Sequence, residues 1–121
     1  MQNLVEVKNL KKSYGSKEAV KGISFKIKDD EILGLLGPNG SGKTTTIGMM
    51  LGLLKPSNGE IIIDGKKIED NRIEILKKIN FISPYIELPK KLTVKQNLIV
   101  YGKLYSVSDI KERIEYLSEK L

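Results

Sequence analysis

A glycine-rich segment in the first half of the chain has the residue types and spacing of a phosphate-binding loop. It reads Gly37-Pro38-Asn39-Gly40-Ser41-Gly42-Lys43-Thr44 and fits the pattern G-x-x-x-x-G-K-[ST]. Glycines permit the positive φ angles that turn successive backbone N–H groups toward an anion, and the N-terminus of a following helix adds partial positive charge. Lys43 would reach the β- and γ-phosphates of a nucleotide, and the Thr44 hydroxyl would bind Mg²⁺. The other interpretation is a glycine turn that binds no ligand.

Two apolar segments are expected to position this loop. Residues 32–36 form a short apolar run without alternation, which is typical of a strand buried on both faces of a parallel sheet. Residues 45–54 are predicted to form an apolar helix that ends at Lys55-Pro56. A strand, a glycine-rich loop and a helix in this order are the context that the motif requires, so the predicted fold class is α/β.

The other predicted elements are shorter. Helices are expected to dominate the C-terminal part of the chain, and three pairs of Asn, Thr or Asp with a Gln or Glu three residues later indicate capping boxes. Period-2 alternation at Ile23, Phe25 and Ile27 indicates a half-buried strand. The predicted strands and turns are a strand at 4–7 ending at Asn9, a loop at 11–17, a turn at 29–30, a hairpin of 60–64 with 66–68 around Asp64-Gly65, and a strand at 80–83. The predicted helices begin at Asn71, with Glu74 in its capping box, and at Thr93, with Gln96, the latter ending at about Tyr105. A last helix begins at Asp109, with Glu112, and its apolar face is Ile110, Ile114, Leu117 and Leu121.

Composition excludes several classes of site. The chain has no cysteine and no histidine, which excludes disulfides, thiolate metal sites and histidine-based triads or zinc sites. The 21 Lys+Arg residues outnumber the 15 Asp+Glu residues and give a net charge of +6. This charge is dispersed lysine with arginine only at Arg72 and Arg113, so a nucleic-acid partner is not expected. The sequence shows no signal peptide and no run long enough to span a bilayer, which predicts a cytoplasmic protein.

The phosphate loop and its surroundings resemble the ATP-binding subunits of ABC transporters. The resemblance rests on residues 37–46, Gly52-Leu53, residues 55–60 leading to Asp64-Gly65, Leu92-Thr93-Val94 and Asn97-Leu98. It is strongest to single-domain subunits that serve exporters. It implies a P-loop NTPase core with an antiparallel β subdomain at residues 1–84, followed by the start of a helical subdomain at residues 85–121. ATP and Mg²⁺ are the implied ligands.

The resemblance adds three candidate residues outside the loop's invariant positions. Tyr14, before Gly15, matches the family's aromatic residue that stacks on adenine, a contact that needs no hydrogen-bond geometry. The alternative is a loop aromatic that covers the edge of the core. Val20 matches an aliphatic side chain under the nucleotide, although it could equally be an ordinary strand residue. Thr45 matches the position that meets the α-phosphate.

Two segments are similar to those that hold magnesium and catalytic groups in the family. Ile61-Ile62-Ile63-Asp64 is similar to a Walker B strand, but Asp64 precedes Gly65 in a hairpin turn, which argues against a metal-binding role. The family's glutamine after Pro84 is replaced here by Tyr85, a poor magnesium ligand, and Gln96 belongs to the next helix. No catalytic residue is therefore assigned.

The resemblance also implies family segments that are not among these residues. The signature segment, the Walker B carboxylates and the switch histidine are not among these residues, so the chain resembles the N-terminal half of the domain and is expected to bind MgATP without efficient turnover. The implied partners are that C-terminal half, a membrane-spanning transporter subunit at the inner face of the membrane and, in the full-length family, a second copy. The alternative is a non-hydrolysing nucleotide-binding module that a separate partner chain completes.

Overall fold

The computed structural model describes residues 3–83 and 87–120, which contain four strands and four helices. One compact unit extends to Ile79 and a second begins at Asn80. Within the described residues, no helix is both long enough and apolar enough to cross a membrane. The elements are β1 Asn3–Tyr14, β2 Lys17–Lys28, α1 Lys43–Met50, β3 Asn58–Ile63, β4 Lys66–Lys67, α2 Ile68–Leu76, α3 Val94–Leu104 and α4 Ile110–Ser118.

The first unit is built on an antiparallel sheet of order β2-β1-β3-β4. The alternation that predicted a strand at 23–27 is confirmed within β2, where Phe25 pairs with Val7 of β1. The predicted end of the first strand at Asn9 is wrong, and the predicted loop at 11–17 is confirmed only at residues 15–16, which form the turn between β1 and β2. The strand continues to Tyr14 because its polar residues pair with β2 on one side, as in Lys12 opposite Val20, while Lys11 pairs with Asn58 on the other.

The predicted hairpin around Asp64-Gly65 is confirmed. Asp64 has φ 50° and Gly65 has φ 73°, the two positive angles of the tight turn that suits the twist of paired strands. The pairs Ile63–Lys66 and Ile62–Lys67 set the register of β3 and β4. Ile68 was expected in the second strand but begins α2.

Helix α1 packs on this sheet and closes its core. Met49 of α1 is fully buried, and each aliphatic side chain buried here contributes about 1.5–3 kcal/mol relative to exposure. The predicted helix at 45–54 is confirmed as a helix, but it begins at Lys43 and ends at Met50. The buried core residues are Val7, Leu10, Val20, Met49, Ile61, Ile63, Ile68 and Ile75.

The apolar run at 32–36, expected to be a buried parallel strand, is not a strand in the structure. Ile32 is 99% exposed and Leu36 is 93% exposed. A parallel strand is stabilised by backbone pairing with neighbours and by cover on both faces, and no described strand pairs with this segment. The prediction therefore fails for lack of pairing partners.

The predicted strand at 80–83 is also absent. The Asn80 side chain accepts hydrogen bonds from the Phe81 N–H (2.8 Å) and from the Tyr105 hydroxyl (3.1 Å). The Phe81 N–H is therefore bonded to a neighbouring side chain and does not pair with another strand.

One of the three predicted capping boxes forms. In α3, the Gln96 N–H donates to Thr93 Oγ1 (3.2 Å) and the Thr93 N–H donates to Gln96 Oε1 (2.8 Å). The box predicted at Asn71 is wrong because Asn71 lies inside α2, where its side chain donates to the Lys67 carbonyl and Glu74 pairs with Lys66 instead.

Helix α4 begins as predicted after Asp109, but without the predicted box. Asp109 adopts a left-handed conformation (φ 51°) and its side chain makes no capping bond. Of the predicted apolar face, Ile110 and Ile114 are partly buried, Leu117 is 45% exposed, and Leu121 lies outside the described residues. The division into residues 1–84 and 85–121 as family subdomains stays a prediction.

Candidate phosphate-binding site

The glycine loop directly precedes α1, as the motif requires. Gly40 (φ 82°) and Gly42 (φ 92°) both adopt left-handed conformations, and Gly42 is the N-cap residue of α1. The Ser41 N–H donates to the Pro38 carbonyl (3.2 Å) and tightens the turn. The glycines at these positions are needed because other residues adopt such angles at a cost of about 1–2 kcal/mol each.

Gly42 is also a point of close contact with β2. A Cβ atom at Gly42 would lie 2.4 Å from the Ala19 carbonyl oxygen and 3.1 Å from Val20 Cγ2. The loop is thereby held against the sheet, and Val20, one of the sequence candidates, lies beside it. A Cβ at Gly37 would lie 2.5 Å from Ser41 Oγ, a side-chain atom that can move away more easily than the Ala19 carbonyl.

The Lys43 side chain folds back across the loop that precedes it. Its ammonium donates to the Gly37 carbonyl, to the Pro38 carbonyl (2.8 Å) and, at 3.4 Å, to Ser41 Oγ. The positive charge is therefore fixed over the glycine loop by three oxygen atoms of the loop itself. This is the position from which an ammonium can meet a phosphate bound there.

The start of α1 supplies the remaining polar groups. Thr44 is exposed and Thr45 is partly buried in the first turn, where helix geometry leaves backbone N–H groups without intrahelical partners. The first turn contains no acidic residue, so nothing opposes an anion there. An open position at Gly40, the Lys43 ammonium over the loop and the exposed Thr44 hydroxyl fit a phosphate group with its Mg²⁺.

Thr46 is a structural residue of this site to which the sequence analysis assigned no role. It is 2% exposed, and both its N–H and its Oγ1 donate to the Gly42 carbonyl at 2.8 Å. This pair of bonds fixes the turn from the loop into the helix. A threonine four residues after a helix N-cap is a sequence signal for such a back-bond, although it does not predict burial.

Tyr14 lies at the end of β1 with its side chain half exposed. The residue as a whole is 51% exposed, and Lys12 Nζ lies 5.2 Å from the centre of its ring, within the range of a cation–π contact. Lys12 was not among the sequence candidates, because ring contacts of this kind depend on side-chain placement.

Asp64 does not take part in the phosphate-binding site. It lies in the β3–β4 turn, where its carboxylate pairs with Lys78 at 2.5 Å. The hydrogen bond and the charge of Lys78 hold the pKa of Asp64 below its usual value. Gln96 lies in the capping box of α3, as expected, and Tyr85 lies outside the described residues.

Replacing Asp64 by asparagine is expected to reduce the loss of stability in acid. Because Lys78 lowers the pKa of Asp64 below 3.8 in the folded chain, the ion pair stabilises the fold above that value and is lost as the pH falls through the folded-state pKa. Denaturant unfolding from about pH 6 to about pH 2.5 should therefore show a shallower pH dependence for Asp64→Asn than for the wild type. Asp30→Asn, at another turn aspartate with positive φ, is the matched control. Equal pH dependence of Asp64→Asn and wild type would contradict this role.

Comparison with known proteins identifies the family. The model of the family described as ABC transporter matches residues 20–121. The chain belongs to this family. It is 42% identical over 105 residues to the linearmycin resistance ATP-binding protein LnrL of Bacillus subtilis, covering 87% of this chain and 34% of LnrL. It is 39% identical to the bacitracin transport ATP-binding protein BcrA of Bacillus licheniformis, covering 88% of this chain and 35% of BcrA.

Solved structures of ABC transporter ATP-binding subunits share the fold. One such subunit superposes with a TM-score of 0.80 at 30% identity, covering 88% of this chain and 44% of that one. The cbiO1 subunit of Clostridium perfringens superposes with a TM-score of 0.56 at 38% identity, covering 64% of this chain and 31% of that one. The predicted α/β class with a P-loop fold is thus confirmed. The ABC chain described here spans about a third of the length of the curated relatives it matches.

Proposed function

We propose that residues 37–45 bind the phosphates of ATP together with Mg²⁺. The observation that carries the proposal is the Lys43 ammonium, held over the glycine loop by loop oxygens at the N-terminus of α1. The positive charge of Lys43 lies beside the N-terminus of a helix, which favours a polyphosphate over a neutral ligand. Membership of a family whose relatives are ATP-binding proteins supports the same ligand.

Each candidate residue is proposed to contact a different part of the nucleotide. Lys43 neutralises charge on the β- and γ-phosphates, the Thr44 hydroxyl holds Mg²⁺, and Thr45 meets the α-phosphate. Tyr14 offers a half-exposed aromatic ring for the base. The Val20 side chain lies beside Gly42 and packs against the loop on the side of the sheet. The bound Mg²⁺ supplies charge neutralisation of the phosphate oxygens.

Transport is the proposed role of the whole protein. By resemblance to the family, ATP binding and hydrolysis drive movement of a substrate through a membrane-spanning subunit at the inner face of the membrane, with two ATP-binding subunits acting together. Relatives named for linearmycin resistance, bacitracin transport and Nod factor export support an exporter-type assignment.

Calorimetric titration of the chain tests the proposed ligand. MgATP and Mg-tripolyphosphate should both bind with one site per chain, and AMP should bind far more weakly because it lacks the β- and γ-phosphates that Lys43 meets. Equal affinity for AMP and ATP would contradict a phosphate-binding loop. Binding of neither polyphosphate would overturn the proposed function.

Tyr14→Ala is expected to weaken ATP and GTP binding by similar factors, about 1 kcal/mol, because a ring stacks on either base. Binding of tripolyphosphate should not change, since this ligand has no base. Tyr116→Ala is the matched control, because Tyr116 is also half exposed and lies under a lysine, Lys120, at 4.5 Å. A weaker affinity of Tyr14→Ala for tripolyphosphate would show that Tyr14 supports the fold and not the base.

A further inference from the structure

Residues 11–13 of β1 are fastened to the segment that follows α1. The Ser57 N–H donates to the Lys11 carbonyl (2.9 Å), and the Ser13 N–H donates to Ser57 Oγ (3.0 Å). The third bond comes from a side chain, since Lys12 Nζ donates to the Lys55 carbonyl at 2.7 Å. This hydrogen bond places the Lys12 ammonium beside the segment that follows α1.

This ammonium lies over the Tyr14 ring. The distance from Lys12 Nζ to the ring centre is 5.2 Å, and residues two apart on a strand project from the same face. Lys12 also pairs across the sheet with Val20, whose side chain lies against Gly42 of the phosphate loop. Lys12 and Tyr14 thus lie at the end of the sheet that adjoins the loop through Val20.

The two faces of the Tyr14 ring have different surroundings. The ammonium lies over the ring at 5.2 Å from its centre, and Tyr14 stays 51% exposed. A ring fixed by contact on one face loses less conformational freedom when a flat ligand stacks on the other. A cation held by a backbone carbonyl is well suited to fix it, because the cation itself does not have to be ordered on binding.

We propose that Lys12 is a positioning residue that fixes the Tyr14 ring and leaves its open face for the nucleotide base. The inference rests on the proposed function, since it concerns the base that Tyr14 would bind. Lys12 acts through Tyr14 and not on the phosphates. Its effect is therefore specific to ligands that carry a base and depends on the tyrosine being present.

Three variants test this role by calorimetric titration with MgATP and Mg-tripolyphosphate. Lys12→Met keeps the aliphatic length but removes the charge and the donor, Lys12→Arg keeps both, and Lys120→Met removes the corresponding cation over Tyr116. Lys12→Met should weaken ATP binding about two- to fivefold, the size of an exposed cation–π contact. Tripolyphosphate binding should stay unchanged, and Lys12→Arg and Lys120→Met should behave as wild type.

A double-mutant cycle separates positioning from direct contact. With Tyr14→Ala in place, Lys12→Met should have no further effect on ATP binding, because the ring through which Lys12 acts is gone. Equal weakening of ATP and tripolyphosphate, or an undiminished effect in the Tyr14→Ala chain, would overturn the proposal and indicate a direct contact of Lys12 with phosphate. Unchanged ATP affinity of Lys12→Met would also overturn it.

A ligand-free measurement distinguishes failure of this inference from failure of the proposed function. Nuclear Overhauser contacts between the Lys12 side-chain protons and the Tyr14 ring are expected in the wild-type chain without nucleotide. Their absence would overturn the positioning role even if ATP binds. Their presence in a chain that binds neither ATP nor tripolyphosphate would overturn the proposed function, and with it the role toward a base.

Discussion

Replacement of Lys43 by alanine is expected to weaken binding of ATP and tripolyphosphate by roughly 30- to 150-fold, which corresponds to about 2–3 kcal/mol for charged hydrogen bonds. The ammonium already lies over the loop, held by the Gly37 and Pro38 carbonyls, so a bound phosphate exchanges one hydrogen bond to a loop oxygen for a stronger charge-assisted one. Loss of the charge removes the strongest single attraction for the polyphosphate.

Two controls support this prediction. Lys111→Ala removes an exposed lysine from α4 and should bind ATP as the wild type does. Lys43→Arg keeps the charge but not the compact ammonium, so we expect an intermediate affinity. Thermal unfolding of each variant shows whether the fold is retained. A folded Lys43→Ala chain with wild-type affinity for ATP would contradict the phosphate-loop interpretation.

Gly42→Ala is expected to abolish nucleotide binding and also to destabilise the fold. The new Cβ would lie 2.4 Å from the Ala19 carbonyl oxygen, and the residue would have to keep φ at 92°. The backbone angle alone costs about 1–2 kcal/mol, and relief of the contact must move the loop away from β2. The displaced loop would lose the alignment of its N–H groups.

A second glycine separates these two effects. Gly65→Ala in the β3–β4 turn has a similar positive φ (73°), but nothing lies within 4 Å of its added Cβ. Urea unfolding should therefore show a smaller loss of stability for Gly65→Ala than for Gly42→Ala, and ATP binding should be lost only in Gly42→Ala. Equal loss of stability in both would show that the contact with Ala19 is unimportant.

The backbone geometry of the glycine loop could be predicted from the sequence because it is local, whereas phosphate binding by the loop stays a prediction. The glycines, Lys43 and Thr44 are adjacent in the chain, and their backbone angles follow from residue type. The hairpin at Asp64-Gly65 and the capping box of Thr93 with Gln96 are local in the same way, and the structure confirms both. Their geometry depends on a few consecutive residues.

Other features depend on residues far apart in the sequence. The strand pairing of residues 11–14, the burial of Thr46 and the place of Lys12 over Tyr14 each require tertiary contacts that periodicity does not encode. The run at 32–36 shows the converse, since its pattern is that of a buried parallel strand but no described strand pairs with it. The chain spans about a third of the length of the curated relatives it matches.

The most direct test of the central claim is an amide NMR titration of the ¹⁵N-labelled chain with MgATP. The claim is that the loop and the first turn of α1 bind the phosphates, so the largest shift changes are expected for the N–H groups of residues 39–45. Mg-tripolyphosphate should reproduce them, and AMP should not. Changes confined to α3 and α4, or none in residues 39–45 at saturating MgATP, would contradict the account.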